Sequence, residues 1–398
     1  MGQIMLSVDE ALARVLQLIS QVETEQLPLR HAAGRVLAAP VLASRDQPPF
    51  AASAMDGYAI ADAKPKAGAS YRLTGESGAG HGFAGSVSAG ETVRIFTGAP
   101  VPEGAQRVVI QEDVTARDGT VTLTGPLAAS TNIRPAGADF RVGQGLAAPR
   151  RLSPADLALI AAMNVAQVTV HRKPVVAMIA TGDELVMPGE VPRTDQIIAS
   201  NSFALAALAE AEGAEVRMLP IAPDSEAGLR FVLAMAQGAD LIVTIGGASV
   251  GDHDLVGQVA AAMGMERAFH KIAMRPGKPL MAGRLRGVPM LGLPGNPVSA
   301  IVCGHLFLLP AIRALQGLTL VAPVLHQATL AARLDANGPR AHYMRARLVD
   351  VGGVPHITAF DRQDSALLTV LSAANALLVR PIGDPARAAG EQVQYLVV

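Results

Sequence analysis

The chain has one cysteine, Cys303, in 398 residues, and no tryptophan. A lone thiol excludes an internal disulfide, a cysteine-based zinc site and a cysteine-held iron–sulfur cluster. Aromatic residues are scarce, with 4 Tyr and 9 Phe, so abundant alanine raises the mean hydropathy without signalling a membrane. The longest apolar run, Val298 to Ile312, contains His305 and Pro310 and falls short of the ~20 residues that a bilayer requires. No transmembrane helix is expected. The opening MGQIMLSVDEALARVLQLI lacks a basic leader and carries Asp9 and Glu10 where a signal peptide is apolar. An excess of one charge is missing too: 33 Lys+Arg stand against 34 Asp+Glu, a net −1, which argues against a dedicated nucleic-acid binder. These absences predict a soluble, cytoplasmic protein with neither nucleic acid nor membrane as partner. Its length suggests two to three domains at about 150 residues each.

Several textures follow one another along the chain. Ser7 and Glu10 read as a capping box opening a helix over about 7–20. A Pro-bearing connection runs from Pro28 to Pro49. From about 50 to 145 short alternating runs such as Thr92–Phe96, Arg107–Gln111 and Thr120–Thr124 predict a β-rich module. Ser153-Pro154 with Asp156 caps a helix to about residue 163. From Pro174 to about Leu318, apolar strand runs (Val175–Ile179, Asp240–Ile245) alternate with helical stretches (Phe203–Glu212, Ala227–Gln237), the pattern of a parallel α/β sheet. The last ~75 residues return to strand-like alternation.

In an open α/β sheet, ligands bind beyond the carboxyl ends of the strands. The least ordinary polar clusters fall there: Thr181-Gly182-Asp183-Glu184, the segment Gly246-Gly247-Ala248-Ser249 leading to Asp252 and Asp254, and the turn Pro294-Gly295-Asn296-Pro297 before a helix near Ser299. Paired glycines let backbone N–H groups approach an anion, and a following helix N-terminus adds a favourable dipole. The Pro-Gly-Asn-Pro turn is stiff enough to form a wall against a flat ligand. Close carboxylates such as Asp183/Glu184 and Asp252/Asp254 repel unless a pKa rises or a cation intervenes, and hard oxygen donors favour Mg²⁺.

Charge is segregated within this region. Residues 181–266 hold 13 Asp/Glu and 3 Lys/Arg, whereas 267–334 hold 8 Lys/Arg, among them Lys271, Arg275 and Lys278, and no acid. A net −10 followed by +8 suits a metal ion beside an oxyanion. Glu210, Glu212 and Glu215 read instead as a solvated helix face. In the β-rich module, Asp56-Gly57 and the Asp139 of Arg134–Asp139 each set an acid near a glycine, which alone is most often just a turn. Gly80–Gly85 spells GxGxxG but follows no buried strand and opens no helix, and reads as a loop. Cys303 reads as core, and His253 as a loop neighbour of acidic ligands.

Together the segments SAMDGYA (53–59), FTGAPVPEGA (96–105), RPAGAD (134–139), TGDEL (181–185), SNS (200–202), GGASVGDHD (246–254), MRPGKP (274–279) and GLPGNPVSA (292–300) resemble, in order, the molybdopterin molybdenumtransferase family, MoeA type, which includes the gephyrin E domain. The resemblance implies α/β architecture with β-rich modules. Its parts would be a discontinuous helical linker domain (1–48 and 146–173), a β-rich inserted domain (49–145), an α/β molybdopterin-binding domain (174–320) and a C-terminal β-barrel (321–398). It implies a homodimer with shared active sites and Mg²⁺-dependent use of adenylylated molybdopterin and molybdate, giving molybdenum cofactor and AMP. Contact with the adenylyltransferase or with recipient molybdoenzymes would accompany that task.

Residue by residue, Asp56, Thr97, Asp139, Glu184, Asp224, Asp254, Lys271, Arg275, Pro294, Pro297 and Ser365 match positions that the family uses. Asp56, Asp139, Glu184 and Asp254 are the expected catalytic groups. Asp56, Glu184, Asp252 and Asp254 are the expected metal ligands. Thr97, Asp224, Gly246, Gly247, Ser249, Lys271, Arg275, Lys278, Pro294, Gly295, Asn296, Pro297 and Ser365 are the expected substrate contacts. Ala180 and Pro135 depart from the residues common there. Two other functions stand beside this one. Adenylyl transfer to molybdopterin shares the α/β domain, but the β-rich modules argue against it. A gephyrin-like scaffold would carry a long linker and a fused second domain, and nothing here resembles either.

Overall fold

Residues 5–247 and 255–398 are described by the computed structural model. The first helix, α1 (Val8–Leu18), starts at the expected capping box: Ser7 Oγ accepts the Glu10 N–H at 3.2 Å, and Glu10 returns a bond to the Ser7 N–H at 2.8 Å. Its apolar residues Val8, Ala11, Leu12 and Val15 recur at helical spacing on one buried face. That face packs into the core of the α/β unit, with Phe269, Ile272 and Ala282, far along the chain.

The stretches flanking the insertion hold short strands as well as helices. Thr24–Pro28, Gln167–His171, Val36–Leu37 and Arg150–Arg151 form one antiparallel sheet. Against it packs α2 (Pro154–Ala162), opened by a second capping box of Ser153 and Asp156. Between these halves, six strands form one mostly antiparallel sheet in the order Arg107–Ile110, Gly57–Ile60, Glu91–Ile95, Ser70–Ser77, Thr120–Leu123 and Val114–Arg117. All three expected runs lie in it. The GxGxxG stretch is irregular, closed by a Gly78–His81 bridge.

The central sheet has six strands: β1 (Val175–Ala180), β2 (Glu215–Met218), β3 (Leu241–Ile245), β4 (Met265–His270), β5 (Met281–Leu285) and β6 (Val288–Leu293). Their order is β2-β1-β3-β6-β5-β4, the first four parallel and the last two joined by antiparallel ladders. All five residues of β3 are buried, as expected for a strand covered on both faces. The helices α3 (Asn201–Ala211), α4 (Glu226–Met235) and α5 (Leu255–Ala262) follow the parallel strands.

A last helical stretch joins α6 (Pro297–Cys303), a π turn (Gly304–Leu308) and α7 (Leu309–Leu315). The π turn admits Pro310, which lacks an N–H to donate to the preceding turn. Among the described residues this 19-residue helix is the one that is long and apolar enough to cross a membrane. It is longer than the run the sequence marks out, and 78% of its apolar window is buried, packed against α1 and α3. Cys303 lies fully buried within it, and burial pushes its thiol pKa up.

The C-terminal strands close into a five-stranded barrel. Ala341–Val351 pairs with Val354–Ala359, then in turn His326–Leu330, Gln392–Val397 and Ala376–Arg380, which pairs back with Ala341–Val351. Closure leaves no unpaired edge. One short strand, Met274–Arg275, leaves the α/β unit to pair in parallel with Ala341–His342 of the barrel.

Candidate active site

The carboxyl ends of β1, β3 and β6 open on a cavity of about 580 Å³, lined by Glu184, Gly246, Gly247 and the whole Pro294–Pro297 turn. This is the place the α/β rule indicates. Gly246 has φ +94°, and a Cβ there would stand 2.7 Å from the Thr181 carbonyl oxygen. Only glycine lets the two strand ends come this close. The Gly246 N–H is itself bonded to the Leu293 carbonyl at 3.1 Å.

The two adjacent acids of the first loop are held differently. Asp183 Oδ1 accepts the Asp224 N–H at 3.0 Å and so ties two loops together. The Glu184 carboxylate lines the cavity, folded over Gly182, and makes no hydrogen bond or ion pair among the described residues. Asp224 is exposed, and its backbone serves this tie.

The Pro-Gly-Asn-Pro wall is fixed from two sides. Asn201, in the first turn of α3, donates its side-chain amide to the Gly295 carbonyl at 2.7 Å. From the barrel, Ser365 offers its backbone carbonyl to the Val298 N–H at 3.0 Å, and the neighbouring Ala366 lines the cavity. Pro297 has no N–H, and the Ala300 N–H goes to the Asn296 carbonyl at 2.9 Å. The first turn of α6 is thus largely engaged within the protein, and less of it is free for an anion than the dipole argument suggests.

Behind Ser365 lies a residue that the sequence reading passed over. Arg345 is fully buried, with Nη2 donating to the Asp364 carbonyl at 2.9 Å, which shapes the loop carrying Ser365. Its Nε and Nη1 make no hydrogen bond among the described residues. Burial lowers the guanidinium pKa; the Asp364 charge opposes this in part, and nearby Arg275 pushes the same way as burial. The available signal is its place in Tyr343-Met-Arg-Ala-Arg: Arg345 points to the same side as buried Tyr343, where alternation calls for an apolar residue. Arg275 is exposed, and Lys271 and Lys278 are half-buried in the same segment, which borders the cavity through Pro279. Lys271 sits at φ +73°, a left-handed conformation uncommon for a side chain of its kind.

Not all of the acidic excess belongs to the site. Glu212, expected on a solvated helix face, is instead a bridge. Its carboxylate takes Arg151 at 2.6 Å and Arg313 at 2.8 Å, joining the flanking module to α7. A helix pattern cannot reveal such a bridge, because both arginines arrive from distant segments. Asp240 is likewise structural, gripped by both Arg172 terminal nitrogens at 2.6 and 2.7 Å.

A second cluster forms in the inserted module. The Ile133–Arg134 strand pairs with Ala52–Ser53, and Ser53 exchanges bonds with Ala99 and Gly98, so three of the motif segments meet. Asp56 Oδ1 accepts the Thr97 N–H at 2.7 Å and the Thr97 hydroxyl at 2.8 Å, which hold its pKa below the usual carboxylate range. Gly57 is more than a turn residue: a Cβ there would lie 1.9 Å from the Val109 carbonyl oxygen of the adjoining strand. Asp139 is exposed, its N–H bonded to the Gln47 carbonyl at 2.9 Å. Neither Asp56 nor Asp139 lines the α/β cavity within one chain.

Ser249, Asp252 and Asp254 lie outside the described residues. Among the described residues no three His, Cys, Asp or Glu side chains converge. Among the described residues that line the cavity, the Glu184 carboxylate is the one acid, and as a hard oxygen donor it suits a divalent cation rather than a soft metal.

Comparisons with known proteins agree over most of the chain. Residues 6–164 match the MoeA N-terminal region (domain I and II), 177–314 a probable molybdopterin binding domain, and 327–398 the MoeA C-terminal region (domain IV). A molybdopterin molybdenumtransferase of Haemophilus influenzae is 39% identical, covering 79% of this chain and 78% of its own. One of Nostoc is 35% identical, covering 96% and 90%. The crystal structure of a molybdopterin biosynthesis MoeA protein from Pyrococcus horikoshii superposes with a TM-score of 0.84 at 27% identity, over 99% of this chain and 100% of that one.

Proposed function

The chain belongs to the MoeA family of molybdopterin molybdenumtransferases, and we propose that it inserts molybdate into adenylylated molybdopterin, yielding molybdenum cofactor and AMP. The observation that carries this reading is the cavity at the carboxyl end of the parallel sheet. It combines a glycine-lined approach, a stiff wall and a free carboxylate, with a cationic segment at its border.

The residues divide the work by chemistry. Gly246 and Gly247 bring backbone close to the substrate, while Pro294–Pro297, held by Asn201 and Ser365, orients its flat part. Molybdate is a tetrahedral dianion, and Lys271, Arg275 and Lys278 supply charged donors for it. Arg345 adds positive charge behind Arg275. A buried guanidinium with two unbonded N–H positions is costly, and an oxyanion nearby offsets that cost. Mg²⁺, held by Glu184 with Asp56, Asp252 and Asp254, would neutralise charge on the phosphoryl oxygens of the anhydride. The sulfur that binds molybdenum comes from the pterin dithiolene, so one buried cysteine suffices for the protein.

Asp56, Thr97 and Asp139 act, in this reading, on the cavity of a second subunit, which makes the working unit a homodimer with shared sites. Their separation from the cavity of their own chain supports this. A cytoplasmic location and contact with the adenylyltransferase or recipient enzymes belong to the same proposal. The test is nucleotide analysis. Adenylylated molybdopterin with Mg²⁺ should release AMP when molybdate is added and not before. Release that ignores molybdate, or adenylyl transfer from ATP to molybdopterin, would overturn the reading.

A further inference from the structure

Arg94 is set between two aromatic rings beside the Asp56–Thr97 contact. Its guanidinium carbon lies 4.9 Å from the Tyr58 ring centroid and 4.9 Å from that of Phe96. Nη1 donates to the Gly57 carbonyl at 3.2 Å and Nη2 to Gln111 Oε1 at 2.7 Å. No carboxylate forms an ion pair with it among the described residues. Its contacts bracket the functional pair: Gly57 and Tyr58 directly follow Asp56, and Phe96 directly precedes Thr97. Arg94 therefore touches both segments whose ends meet in the Asp56–Thr97 hydrogen bonds.

We propose that Arg94 is a positioning residue for Asp56, bracing the two segments so that the Asp56 carboxylate oxygen left free by Thr97 keeps a fixed direction. The proposal rests on the reading above, in which Asp56 takes part in the transfer. A planar guanidinium suits the task, because it can stack on rings and donate in plane at once, whereas an ammonium can do only one of these well. A misplacement of about 1 Å at a reacting group can cost on the order of a hundredfold in rate, so a brace of this kind is a kinetic device.

The experiment uses the full-length protein with Arg94→Met, Arg94→Lys and Asp56→Glu, singly and as the pair Arg94→Met/Asp56→Glu. It measures kcat, KM and Tm in the molybdate-triggered AMP assay. Arg94→Met should lower kcat at least tenfold with KM within about twofold, and Arg94→Lys should be nearly as impaired. In the pair, loss of Arg94 should cost less than threefold beyond Asp56→Glu, since both act through one carboxylate. Should Arg94→Met unfold, Tyr58→Leu removes one stacking face and should reproduce the kcat loss at a native-like Tm. A wild-type kcat in Arg94→Met, full recovery by Arg94→Lys, or multiplicative losses in the pair would each overturn the proposal. Full turnover by Asp56→Asn would instead remove the reading of Asp56, and this proposal with it.

Discussion

The Asn201 side-chain amide donates to the Gly295 carbonyl at 2.7 Å, so the helix after one parallel strand holds the turn after another. The bond sits on the wall of the cavity rather than in its chemistry. Asn201→Ala should therefore raise KM for the pterin substrate by roughly tenfold while lowering kcat less than threefold. Loss of this neutral hydrogen bond costs about 1 kcal/mol of stability. Steady-state kinetics with a thermal melt would check both. An unchanged KM would show that the wall needs no such tie.

The carboxylates are expected to behave in the opposite way. Glu184→Gln and Asp56→Asn preserve shape while removing charge, so each should keep a native melt and lose at least a hundredfold in kcat. AMP release, measured beside circular dichroism, is the readout. Retention of full turnover by both would remove the site assignment.

Subunit mixing tests the shared site. If Asp56 serves the cavity of its partner, then Asp56→Asn and Glu184→Gln chains, each inactive alone, should form hybrid dimers with one intact site. Random exchange puts about a quarter of wild-type activity in the mixture, because half of the dimers are hybrids with one working site of two. Mass spectrometry proves the exchange. Proven hybrids without activity would place both residues in the site of one chain.

Arg345 bears on stability and function with opposite sign. Replacing a buried, poorly compensated charge by an apolar side chain of similar length is often neutral or stabilising. Arg345→Met is expected to leave Tm unchanged or raised, despite loss of the bonds to Arg362 and Asp364. Molybdate-dependent AMP release should fall steeply. Chemical denaturation and the AMP assay together decide the point.

Two histidines make a pH prediction. Burial, and then Arg275, Arg345, Arg380 and Arg340, push the His342 pKa down to about 4; burial and then Arg313 do the same to His305. Both are neutral in the native state and protonate more readily once unfolded. Their contribution is fully present above about pH 6.5 and is lost as pH falls toward 4, with unfolding taking up close to two protons in that window. Denaturation curves at pH 7, 5.5 and 4.5 should show this slope, and His342→Gln should remove part of it.

Much of this architecture is legible in the sequence itself. Apolar runs such as Leu241–Ile245 declare buried parallel strands, and Ser7 with Glu10 declares the first helix, because these signals are local. The cavity residues were readable as well, since glycine pairs and the Pro-Gly-Asn-Pro turn are rare outside positions that need close approach. What escaped depends on distant segments meeting. Glu212 looks solvated until Arg151 and Arg313 arrive from elsewhere in the chain. The Asn201 tie and the Ser365 cap on α6 cross between elements, and no periodicity reports them. Arg345 was readable in principle, as a charge on the apolar side of a strand, but strand edges and barrel interiors look alike in sequence.

The seat of the first helix has a consequence for how the protein is made. Arg14, on α1, donates to the Ala268 carbonyl, a residue 254 positions later, and Leu6 meets Ile272 and Ala273. At about 5–20 residues per second, the ribosome delivers that docking surface roughly 13–50 s after the helix emerges. The strands of the inserted β-module pair only with one another, and all of them are synthesised well before then. Synthesis would thus leave a folded middle with an unsatisfied apolar helix ahead of it. That helix is the segment most in need of a chaperone until β4 and β5 arrive.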